Sequence, residues 1–116
     1  MSSDELEAYF QALGWNIERR GVGPQTFIII RDYTIPTGSF AGRSCEIAIE
    51  RTTTVPYVAP PAIHTRPALV PMDMGSSLRT QPSARGPDWQ YWSRILRGQP
   101  TPQKIVAHIA TIFSEV

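Results

Sequence analysis

The chain has a single cysteine, Cys45, among 116 residues. That excludes an intramolecular disulfide and any metal site built from several thiolates. It also has almost no net charge: 11 Lys and Arg stand against 10 Asp and Glu, for a balance of +1. A nucleic-acid or acidic-membrane surface, which needs a clustered excess of basic residues, is therefore not expected. No apolar run approaches the ~18 residues needed to span a bilayer. The opening "MSSDELEAYF" is acidic rather than basic, unlike a secretory leader, so a cytoplasmic location is expected.

Sites for bound groups are equally scarce. His64 and His108 are the only histidines, and neither stands at ligand spacing with the other or with Asp73 or Asp88. No metal is expected. Gly21 and Gly23 flank one valine but lack the third glycine of a dinucleotide loop, so "GVG" reads as a hairpin turn and no cofactor is expected. A Gly-x-Ser-x-Gly elbow is missing too, as are repeats and low-complexity tracts. A chain of this length fits one domain with one modest core, taken here as residues 1–116.

What is abundant is proline. Of eleven, Pro56, Pro60, Pro61, Pro67, Pro71, Pro82 and Pro87 fall within one third of the chain. Proline lacks an N–H and fixes φ, which predicts an extended flap lying against a sheet rather than forming its middle. Before it, Ser2 and Glu5 form a capping box for a helix whose apolar stripe is Leu6, Phe10 and Leu13, with Gly14 as its stop. "WNIERRG", "TFIIIRDYTI" and "RSCEIAIE" then read as strands of an antiparallel meander with one wet face. "AIHTRPALV" adds a fourth, edge-like strand. Asp88 is placed as N-cap of a short helix "WQYWSRIL", with Trp89, Trp92, Ile95 and Leu96 as its stripe. Thr101 and Pro102 open a terminal helix buried through Ile105, Ile109, Ile112, Phe113 and Val116. The expectation is an α+β fold: one N-terminal helix, three or four strands, a proline-rich flap and two C-terminal helices.

The reactive side chains are few. Cys45 alternates with Ile47 and Ile49, so it should face the core as an inert thiol of raised pKa. His108 flanks the apolar stripe of its helix and reads as a boundary residue. His64 lies among prolines. A Ser93–His64–Asp73 set can be assembled on paper, although almost any chain of this length permits one. Spacing alone leaves Trp89 and Trp92 as core anchors and Ser93 with Arg94 as surface.

The segment containing Tyr57, Pro60, Pro61 and Ile63 resembles the proline-rich stretch of the ubiquitin-conjugating superfamily. A bacterial branch associated with ubiquitin-like conjugation operons is closer. Ile35, Pro36 and Gly38 match its Pro-x-Gly turn, and Trp89, Trp92, Ser93 and Arg94 match its late Trp-x-x-Trp-Ser-Arg signature. The superfamily's His-Pro-Asn tripeptide is absent, and no cysteine follows the proline segment. The resemblance implies a ubiquitin-like protein and its activating enzyme as partners. It places the nucleophile near residues 90–93, where Ser93 is the hydroxyl apart from Tyr91. His64 would then be the base and Arg94, or backbone N–H groups at the start of the short helix, the oxyanion stabiliser, with Trp92, Tyr91 and Asp73 as binding residues, and the product a serine oxyester passed to an amine. The alternative is a non-catalytic adaptor of the same fold; a small serine hydrolase is a weaker third reading.

Overall fold

A computed structural model describes residues 1–71 and 78–116. Helix α1 spans Ser3–Ala12, and the Ser2 hydroxyl accepts the Glu5 N–H at 3.1 Å, the predicted cap. Leu6 and Phe10 are buried, but Leu13 falls at the C-cap, past the last helical residue, and is 45% exposed. Strands β1 (Ile17–Val22), β2 (Gln25–Thr34) and β3 (Ser44–Glu50) form the expected antiparallel meander. They are followed by β4 (Ala62–Arg66), β5 (Thr80–Pro82) and β6 (Gln90–Ser93). Helix α2 spans Pro102–Ser114, opened by the Thr101 hydroxyl accepting the Lys104 N–H at 3.2 Å.

The six strands form one sheet in the order β1-β2-β3-β4-β6-β5. This corrects two expectations. The strand containing His64 is interior, not edge-like, because β4 is flanked by β3 and β6. Its prolines, Pro61 and Pro67, stand just outside Ala62–Arg66, so no ladder N–H is missing within it. The segment read as a helix from Asp88 is instead β6, so the described residues contain two helices, α1 and α2.

The second correction has a simple geometrical cause. An i, i+3 pair of tryptophans satisfies one helix face, but on a strand an odd separation sends the side chains to opposite faces. Trp92 enters the main core with Ile28, Ile47, Ile63 and, from the helices, Phe10 and Phe113. Trp89 joins Phe27, Ile29 and Ala48 in a second cluster on the outer face. Ile95, placed on the same stripe, is 71% exposed. The outer face is thus partly dry: Arg85 lays its guanidinium 4.4 Å from the ring centres of both Phe27 and Trp89, covering them.

Charge lines the rest of that face. Glu18 pairs with Arg20 and Arg31, and Glu46 with Arg31 and Arg66. Around α1, Arg19 and Arg51 pair with Asp4 and Glu7. The Ile35-Pro36-x-Gly38 turn has a steric reason. Gly38 has φ +88°, and a Cβ there would lie 1.9 Å from the Phe113 carbonyl oxygen. Only glycine lets the loop reach the end of α2, where the Ser39 N–H donates to the Val116 carbonyl at 2.9 Å.

Candidate functional site

The antiparallel pairing of β4 and β6 positions most of the candidate side chains. His64 stands opposite Tyr91, and Ala62 opposite Ser93. His64 and Ser93 therefore share the outer face as diagonal neighbours, and no hydrogen bond joins them. His64 instead meets a serine that sequence reasoning missed. Its Nδ1 lies 2.7 Å from the Ser83 hydroxyl, which also accepts the Arg85 N–H at 3.0 Å. The ring is 9% exposed and edge-on to Phe27 and Tyr91, each with centroids 5.3 Å away. Burial, assisted by the Arg85 charge, pushes its pKa down to about 4. At neutral pH the imidazole is uncharged. It borders a cleft of about 340 Å³ walled by Glu50, Pro60, Pro61, Gln81 and Tyr91.

Arg94 is 8% exposed, and its donors face the backbone. Nη1 donates to the carbonyls of Ser93 at 2.8 Å and Arg79 at 3.2 Å, and Nη2 to that of Leu78 at 2.9 Å. The Ser93 N–H donates to the same Arg79 carbonyl at 2.9 Å. The guanidinium thus clamps the end of β6 to the turn before β5.

Trp92 is fully buried and donates from Nε1 to the Thr65 hydroxyl at 2.9 Å, with its ring edge-on to Phe113 at 5.7 Å. Tyr91 is half-buried beside His64. Asp73 lies outside the described residues. Cys45 is 4% exposed, and burial pushes its thiol up to about 12, so thiolate chemistry is closed to it, as its alternation with Ile47 and Ile49 predicts.

Ser93 lines a second cleft, of about 330 Å³, with Arg79, Arg94, Ile95, Arg97, His108, Ile112 and Glu115 among its walls. His108, from α2, is half-buried there; burial lowers its pKa against a hydrogen bond to the Arg94 backbone and the charge of Glu115. The histidine that lines a cleft with Ser93 is His108, whereas His64 borders the other one. His108 and Ser93 are far enough apart in the chain, and on different element types, that no spacing rule joins them. Among the described residues no group of three or more His, Cys, Asp or Glu could hold a metal ion, and no helix is long and apolar enough to cross a membrane.

No curated protein and no solved structure matches the chain. The model of Prokaryotic E2 family E matches residues 2–116, essentially from end to end. With its ubiquitin-conjugating-like role in bacteria, that is the family to which this chain belongs.

Proposed function

We propose that this chain serves a bacterial ubiquitin-like modification pathway as a binding module, engaging a ubiquitin-like protein and the activating enzyme without carrying the modifier itself. The observation behind this reading is where the candidate catalytic groups spend their bonds. Arg94 is committed to three backbone carbonyls, and His64 Nδ1 to Ser83. The single cysteine is buried with its thiol held protonated. A transferase needs a nucleophile, a base and an oxyanion donor converging on one reacting carbon.

The second reading is the oxyester carrier, favoured by Ser93 and His108 lining one cleft. There the Ser93 oxygen would bond to the modifier's activated terminal carbonyl carbon while the bond to the leaving group breaks. His108 rather than His64 would take the hydroxyl proton.

Incubation with the ubiquitin-like protein, activating enzyme and ATP, followed by intact mass spectrometry, separates the two. The binding-module reading expects no covalent adduct while the partners co-purify with the chain. A hydroxylamine-labile adduct that disappears in Ser93→Ala establishes the carrier and overturns the first reading.

A further inference from the structure

The arginines divide into two populations. Arg19, Arg20, Arg31, Arg51 and Arg66 each have a carboxylate partner. Among the described residues, no ion pair reaches Arg43, Arg79, Arg85, Arg94 or Arg97; Arg43 and Arg85 lie over aromatic rings elsewhere, and the other three converge on the cleft between the end of β6 and α2. Three guanidinium charges stand there against the one carboxylate of Glu115, a surplus of two. Arg94 contributes charge from beneath, its Nη donors used by the backbone. Arg79 and Arg97 are exposed and free to bond outward.

The backbone at Arg79 is also held in an unusual state. Its φ of +54° is in the left-handed region that a bulky residue rarely adopts, and its carbonyl is fixed by both the Ser93 N–H and Arg94. Glycine or asparagine would sit there with less strain. Arginine keeps a guanidinium at the rim. The exposed Ile95 and the side of Ile112 give the same cleft an apolar wall. His108 is among its lining residues.

We propose that this cleft binds the dianion of a phosphate monoester, with Arg79 and Arg97 gripping the phosphoryl oxygens and the ester group resting against Ile95. The charge surplus matches two negative charges, guanidinium forks match phosphate geometry, and about 330 Å³ leaves room for more than the phosphate alone. This goes beyond the family role and does not depend on whether Ser93 carries an acyl group.

The test is an NMR titration of the full chain with phenyl phosphate, inorganic phosphate and N-acetylglycine, each against sodium chloride at matched ionic strength. Phenyl phosphate should give saturable shifts at His108, Thr111 and Arg97 with a Kd of about 1 mM or tighter. The His108 titration midpoint, set among Arg79, Arg94, Arg97 and Glu115, should move up on binding. Arg97→Ala should weaken binding about tenfold, the loss of one charge-assisted contact, while Arg43→Ala, an unpaired arginine stacked on Phe40, should not. Inorganic phosphate should bind more weakly than phenyl phosphate; equal affinity removes the role given to Ile95. Shifts that follow chloride, an Arg97→Ala protein that titrates as the parent, or N-acetylglycine binding at least as tightly would each overturn the assignment.

Discussion

Replacing Arg94 by methionine tests whether its guanidinium is structural or catalytic. The thioether keeps most of the alkyl volume, so the change is chiefly the loss of donors to Leu78, Arg79 and Ser93 carbonyls. Arg79's oxygen keeps the Ser93 N–H, leaving two carbonyls deprived. A hydrogen bond from a charged donor contributes about 1.5–3 kcal/mol net, and two such losses partly offset by drier packing come to about 3 kcal/mol. For a domain of this size that lowers Tm by roughly 12–20 °C. Urea unfolding followed by far-UV circular dichroism reads the change as a lower midpoint at constant slope. Arg94→Lys, which can reach only one of the carbonyls, should recover about a third of the loss. A methionine variant within about 1 kcal/mol of the parent refutes the clamp, because a buried structural arginine cannot be removed so cheaply.

Three further outcomes concern His64, Cys45 and the two tryptophans. The His64 pKa is lowered from 6.5 to about 4, so the unfolded chain binds a proton that the folded one refuses, and stability falls as pH drops from 6.5 towards 4. The effect is at most about 3 kcal/mol, is complete below the folded value and absent above 6.5, and should vanish from the stability–pH difference curve in His64→Gln. Cys45, at 4% exposure, should resist iodoacetamide at pH 8 in the native protein and react fully in denaturant; rapid native labelling would contradict its burial. Trp92→Phe should cost about 2–3 kcal/mol through a cavity and an orphaned Thr65 hydroxyl, and Trp89→Phe, on the outer face, about 1 kcal/mol or less; chemical denaturation giving equal losses would mean that the two indoles share one environment.

The first half of the chain and its terminal helix were largely legible because each element there is governed by local signals. Ser2 and Glu5, the alternation around Cys45, and Thr101 before Pro102 at the start of α2 all act within four residues of themselves. The strand at Gln90–Ser93 was not legible, because two tryptophans at a helical interval fit one helix face as readily as two opposed clusters. What decides between them is Phe27, distant in sequence, which with the Arg85 guanidinium furnishes the outer pocket for Trp89. The interior position of β4 was hidden by its prolines, whose number suggested a flap although their positions bracket the strand. At the candidate site, the residues on β4 and β6 were identified but their partners were not. His64's bond to Ser83 depends on how the loop before β6 folds back onto the sheet, and the cleft lined by Ser93 and His108 on where α2 docks.

Among the described residues, the order of the sheet leaves it with two border strands of very different make. One is β5, three residues long and ending in Pro82, which can donate no N–H. The other is β1, where Glu18, Arg19 and Arg20 project charges already satisfied within the same molecule. A second chain approaching either border meets a stub that soon runs out of ladder, or a hydrated fringe that offers little reward for displacing its counter-charges. Neither side is a template for growth into fibres. The price of a sheet rich in isoleucine, a tendency to stack strand upon strand between molecules, is thereby kept away from the folded state and confined to the unfolded one.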